Sequence, residues 1–159
     1  FKSEGNCLLS KDGKTLLRGC LSSTIPSSVM CITEYAFRGC EDLRTLDIPQ
    51  NVTKIAIEAY SGCSKLETIN VDPLNTKYRS EGNCLLTKSG HTLIMGCKNS
   101  VIPSSVTKIL SNAFHDISAE ECSSEAVSCI IEMESYYQIG LWTYQELKKG
   151  ITDVLKKIK

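Results

Sequence analysis

The chain repeats itself on two length scales. Residues 3–9, Ser-Glu-Gly-Asn-Cys-Leu-Leu, return at 80–86, and comparing 1–40 with 78–117 at that offset of 77 gives 22 identities in 40. Inside the long period lies one of 23: Ile25-Pro26 and Ile48-Pro49, Val29 and Val52, Ile32 and Ile55, Ala36-Phe37 and Ala59-Tyr60, Cys40 and Cys63, Leu43 and Leu66, Leu46 and Ile69. A unit this short has too few apolar side chains for a core of its own. It buries its inner face only by stacking on identical neighbours, so the chain is expected to grow along a spine rather than close into a globule.

Each unit carries its own shape. In Leu43-Arg44-Thr45-Leu46-Asp47-Ile48 the alternation sends Leu46 and Ile48 inward and Thr45 and Asp47 outward, as in a half-buried strand. Pro49 lacks a ladder donor and ends it. Val52 and Ile55 form a second inward pair, and Ala59-Tyr60 a turn in which the small residue allows close approach while the ring fills the space between coils. The longer period contains an insertion. Asn6–Leu9 and Thr15–Leu17 flank Lys11-Asp12-Gly13, a strong hairpin turn, and Cys84–Leu86 with Thr92–Ile94 flank Lys88-Ser89-Gly90 in the same way.

These motifs resemble the BspA-like leucine-rich repeat proteins over about residues 1–117. The resemblance is carried by Ile25-Pro-Ser-Ser-Val29, Ile48-Pro-Gln-Asn-Val52, Ile102-Pro-Ser-Ser-Val106, Ala36-Phe-Arg-Gly-Cys40, Ala59-Tyr-Ser-Gly-Cys63 with Leu66, and the Glu-Gly-Asn-Cys-Leu-Leu hairpins. It implies a right-handed leucine-rich repeat solenoid of α/β or mainly β coils with inserted β-hairpins and a strand sheet on the concave side. It also implies bacterial surface or secreted proteins that adhere to host or neighbouring-cell proteins.

The pattern stops after Phe114, where His115-Asp116-Ile117 replaces the Arg-Gly-Cys of the earlier unit. The array is therefore assigned to 1–117 and a C-terminal helical segment to 118–159. Ser118-x-x-Glu121 opens one helix with Cys122, Ala126, Cys129, Ile130 and Met133 on a face, and Gly140 ends it. Thr143-x-x-Glu146 opens a second, striped by Leu147, Ile151, Val154, Leu155 and Ile158. Two readings fit: a cap over the last coil, or a docking pair that self-associates or binds through Trp142 and Tyr136 or Tyr137.

Charge narrows the partners. Eighteen basic residues balance eighteen acidic ones, so no long-range field favours nucleic acid or an anionic membrane. Lys156, Lys157 and Lys159 read as a solvated chain end. No apolar run approaches the ~20 residues of a membrane span. The sequence opens inside a repeated motif rather than on Met, and reads as a mature form or part of a longer chain.

Nine cysteines exclude complete internal pairing. Cys7/Cys84, Cys20/Cys97 and Cys40/Cys63 are repeat-equivalent, as small buried spine residues are; disulfides are the alternative. Cys31 differs, since its equivalents are Lys54 and Lys108. There is no Cys-x-x-Cys, no His at zinc spacing, no Gly-x-Ser-x-Gly, phosphate loop or His-Glu-x-x-His. His91 and His115 read as ordinary surface or satisfied histidines, and Asn51-Val52-Thr53 fits a glycosylation sequon. No cofactor, metal or catalytic site is expected. The expected function is a non-enzymatic protein-binding or adhesion scaffold at the cell surface or secreted, its binding surface formed by Thr45, Asp47, Thr68 and Asn70 with Arg44 and Glu67 beside them. The alternatives are a spacer array without a ligand, or an accessory module of an enzyme.

Overall fold

The computed structural model describes residues 1–56, 58–110, 113 and 114. The chain runs β1 (Lys2–Glu4), β2 (Cys7–Leu9), β3 (Thr15–Arg18), β4 (Cys31–Ile32), β5 (Thr45–Ile48), β6 (Lys54–Ile55), β7 (Thr68–Val71), β8 (Tyr78–Glu81), β9 (Cys84–Thr87), β10 (Thr92–Met95) and β11 (Lys108–Ile109). The helical segment expected over 118–159, with His115, Tyr136, Tyr137 and Trp142, lies outside the described residues.

The 23-residue period becomes parallel pairing in register. β5 pairs with β7 as Thr45 with Thr68, Leu46 with Ile69, Asp47 with Asn70 and Ile48 with Val71. Leu46, Ile48 and Ile69 are buried while Asp47 and Asn70 are exposed, so the pleat divides the faces as the alternation requires. On the other side of each coil, Leu16, Ile32 and Ile55 stack through β3, β4 and β6, and Leu93 meets Ile109 through β10 and β11. Leu43 and Leu66 join one continuous apolar cluster with Phe37, Tyr60 and Cys63.

Each insertion proves larger than the hairpin expected. β2 and β3 pair antiparallel across Lys11-Asp12-Gly13, but β1 adds a third strand to form a meander, and β8-β9-β10 repeats it. The extra turn is Gly5-Asn6, with φ of 59° and 58°, and Gly82-Asn83, with 57° and 55°. Two successive positive φ values match the right-handed twist of a two-residue hairpin, which glycine and asparagine tolerate best. A Cβ on Gly5 would also stand 2.1 Å from the Thr24 carbonyl oxygen, so this turn is pressed against the chain that follows.

Aromatic rings occupy the space between turns. Phe37 stacks on Tyr60 with centroids 5.1 Å apart and planes 13° from parallel. One coil earlier the place is held by Gly19, where a Cβ would lie 2.2 Å from the Phe37 ring; Gly96 bears the same relation to Phe114 at 2.0 Å. A glycine therefore lies beneath the Phe37–Tyr60 stack and, in the second meander, beneath Phe114. Tyr60 carries a hydroxyl that Phe37 lacks. It is buried without a partner among the described residues, and burial pushes its pKa well above the phenol range.

Asn75 stands 23 residues after Val52, in the valine column, and is completely buried. Its Nδ2 donates to the Pro49 and Val52 carbonyls at 2.9 and 3.0 Å, and its Oδ1 accepts from the Lys77 and Tyr78 amides, both at 2.8 Å. Four backbone groups are thus satisfied where the chain leaves the coil for β8. Restoring the repeat consensus here should do harm: Asn75→Val is expected to lose at least about 1–3 kcal/mol in a denaturant titration, because it orphans buried donors and acceptors. An Asn75→Val chain as stable as wild type would show these bonds to be dispensable. Tyr60→Phe is expected to move the other way, gaining about 1 kcal/mol by removing an unpaired buried hydroxyl; a loss of that size in the same titration would contradict the assignment.

Candidate functional site

The six outward residues expected to form a binding surface fall on one face of β5, β7 and the residues entering them. They are brought together in pairs 23 residues apart. Arg44 Nη1 donates to Glu67 Oε1 at 2.6 Å and Asn70 Nδ2 to Asp47 Oδ1 at 2.8 Å. Thr45 lies directly beside Thr68. A third hydrogen-bonded pair continues the series, Lys65 Nζ to Asp42 Oδ1 at 2.8 Å, and this hydrogen bond with the lysine charge holds the Asp42 carboxyl below its ordinary value. These pairs are solvent-exposed, so each contributes little to stability. What they do is spread opposite charges in fixed rows.

A groove of about 440 Å³ opens beside these rows. Thr45, Asp47 and Asn70 stand on its rim with Thr24, and its walls include the buried Phe37 and Leu46. Arg44, Glu67 and Thr68 do not line it.

The groove exists because a strand is missing. Ser22–Ile25 stand 23 residues before Thr45–Ile48 and should extend the ladder, yet β5 has β7 as its sole strand partner among the described residues. The first meander's turn competes for that segment. The Thr24 amide donates to the Gly5 carbonyl at 2.8 Å, and Ser23 Oγ donates to the Asn6 carbonyl at 2.7 Å. The second meander repeats both bonds, from the Val101 amide to Gly82 at 2.7 Å and from Ser100 Oγ to Asn83 at 2.6 Å. Ser23, Thr24 and Asp72-Pro73, which follow β7, were not among the expected site residues. The signal that would have found the first two was the Gly5-Asn6 dipeptide, a hairpin turn in its own right.

Among the described residues Cys7, Cys20, Cys31, Cys40, Cys84 and Cys97 are free thiols. Cys7, Cys63, Cys84 and Cys97 are buried as the spine reading requires, Cys40 is half-buried, and Cys20 is exposed. Cys31 is half-buried beside exposed Lys54, so a position filled elsewhere by lysine tolerates it. Burial pushes Cys84 up to about 11 and raises Cys7 and Cys97 too, whereas hydrogen bonds from Ser22 and Ser23 lower Cys20. His91 sits at the surface with Nδ1 3.0 Å from the Ser105 carbonyl oxygen. Among the described residues no three His, Cys, Asp or Glu side chains converge as a metal site would need, and no helix is long and apolar enough to cross a membrane.

Parallel coils at a 23-residue period with leucine and isoleucine on the inner face define a leucine-rich repeat protein. Residues 18–85 match the model of a BspA type leucine rich repeat region of six copies, and over that stretch the chain is similar to that family. A leucine-rich repeat protein from Eubacterium ventriosum ATCC 27560 is 26% identical, with a TM-score of 0.51 over 56% of this chain and 25% of that one. The pneumococcal vaccine antigen PcpA is 21% identical, with a TM-score of 0.51 over 57% of this chain and 24% of that one, and so shares the fold. The chain thus spans about a quarter of the length of these solved structures. No curated protein matches it significantly.

The thiol environments make an ordered series. Brief alkylation of the folded chain at about pH 8 should label Cys20 first and leave Cys84 unreacted until denaturant is added, because the thiolate is the nucleophile. Mass spectrometry showing Cys84 modified as fast as Cys20 would contradict the burial described.

Proposed function

We propose that the array is a non-enzymatic protein-binding scaffold, presented at a cell surface or secreted, that docks an extended segment of a partner protein in the groove beside β5. One observation carries this reading. Three outward residues expected from sequence, Thr45, Asp47 and Asn70, line a groove of mixed polar and apolar walls whose edge is a strand with one strand neighbour among the described residues. An added strand would gain main-chain hydrogen bonds from β5, and its alternate side chains would reach Leu46 and Phe37 on one side and Asp47 on the other. Stiff stacked coils hold these groups in place, so little ordering entropy opposes docking. The surface or secreted location and the adhesive role rest on the family resemblance, since a fold alone does not carry function.

A second reading, a spacer without a ligand of its own, is favoured by the pairing of Asp42 with Lys65, Arg44 with Glu67 and Asp47 with Asn70. A face whose polar groups already satisfy one another has less left for a partner.

Affinity chromatography of neighbouring-cell surface proteins on the immobilised chain separates the two. Replacing Asp47 by Lys together with Thr45→Trp, which fills the groove, should weaken retention of any specific partner at least about tenfold, the loss of a single strong contact. Lys88→Glu at the second meander's turn should leave it unchanged. Retention untouched by the groove variant but abolished at Lys88 would sink the proposal.

A further inference from the structure

The rows of partners on the outer face of β5 and β7 differ in charge. Asp42 meets Lys65 and Arg44 meets Glu67, so those two rows are neutral. In the third, Asp47 meets only the Asn70 amide, whose Nδ2 bonds its Oδ1 at 2.8 Å, and the row keeps the carboxylate charge. Among the described residues Asp47 has no ion pair. This uncompensated row is also the one on the rim of the groove. Asp72 adds a second carboxylate to the lining, its Oδ1 accepting the Leu74 amide at 2.9 Å. No lysine, arginine or histidine lines the groove; Lys88 donates to the Pro73 carbonyl at 3.2 Å without entering it.

The main chain of β5 is turned to the same place. The Arg44 and Ile48 carbonyls accept from the Thr68 and Asp72 amides at 3.0 and 2.9 Å, so these residues direct their main-chain groups toward β7. Main-chain groups of successive strand residues point to opposite edges, and those of Thr45 and Asp47 therefore face the groove. Leu46, between them, is buried and lines the groove with Phe37 and Leu43. Ile25, 23 residues before Ile48, remains in the apolar cluster, so the place left to fill is the one beside Leu46.

We infer, resting on the docking function proposed above, that the segment held beside β5 is cationic, with a lysine or arginine alongside Asp47 and an apolar neighbour against Leu46 and Phe37. Residues at one level of adjacent strands lie side by side, as Asp47 and Asn70 do, so a strand bonded to Thr45 and Asp47 adds a third member to that row. An acid in that place would set like charges opposite each other. A neutral residue would strip water from Asp47 and return no charge. A lysine or arginine supplies charge-assisted hydrogen bonds, and the row becomes neutral like its two neighbours. The next residue of the segment points to the other face of the pleat, where Leu46 and Phe37 receive it.

The test selects seven-residue segments, randomised at every position and displayed on a carrier, on the immobilised full chain. Segments also retained by the Thr45→Trp chain, whose groove is filled, are discarded. Lysine or arginine should dominate one position, with an apolar residue next to it. Replacing that residue by glutamine in single clones should weaken binding about three- to tenfold at low salt, and less at 0.5 M salt, where screening is strong. Selection on Asp47→Lys should turn the same position to aspartate or glutamate, and the isosteric Asp47→Asn, which can keep its bond to Asn70, should abolish the preference. Groove-dependent segments without a basic preference, or with one that survives both Asp47 variants, overturn the inference and leave the docking function standing. If no selected segment depends on the groove, both fall. Should the chain alone dimerise as its concentration rises and Thr45→Trp prevent this, the occupant is a second copy and the inference fails.

Discussion

Every feature of the structure depends on coils lying in register along the spine. A single coil exposes as much inner surface as it covers, and its short strands, two to four residues each, would not hold alone. Parallel pairing at a spacing of 23 solves both problems, because it satisfies the backbone of one coil with that of the next while placing leucine over leucine and ring over ring. The same spacing orders the outside. Asp42 meets Lys65, Arg44 meets Glu67 and Asp47 meets Asn70 because residues one period apart are neighbours whatever their chemistry.

The meanders disturb this order in a controlled way. They interrupt the spine with antiparallel pairing and draw the following four residues toward their own turn. Ser23 and Thr24 cannot serve both the Gly5-Asn6 turn and the β5 ladder, and the turn holds them. The opening left beside β5 is therefore a product of competition between two backbone hydrogen-bonding schemes, not of a poorly packed core. Asn75 handles the next departure differently, its side chain bonding the Pro49 and Val52 carbonyls and the Lys77 and Tyr78 amides where the chain leaves for β8.

Much of this was legible in the residues. Alternation in 43–48, the proline that ends the strand, and the 23-residue spacing were enough to place the inner and outer positions of β5 and β7. Asp-Gly and Ser-Gly marked the meander turns between β2 and β3 and between β9 and β10. The strands β1 and β8 were missed because Lys2-Ser3-Glu4 and its copy carry no apolar alternation; they are strands by virtue of the type of turn that follows them. The pairing of the outward charges could have been read from the period alone. The groove could not, because its cause lies in which of two acceptors wins the Thr24 amide, and nothing local decides that. The sulfur positions were read as spine residues; Cys7, Cys63, Cys84 and Cys97 are buried, whereas Cys20 is exposed.

The glycine beneath each aromatic stack has a consequence for how such an array can change over generations. Because Gly19 and Gly96 both lie beneath the first aromatic ring that follows them, each meander sets the phase of the turn after it. Recombination between two meanders could then lengthen or shorten the molecule by whole blocks without spoiling any joint. Reach would vary in fixed steps.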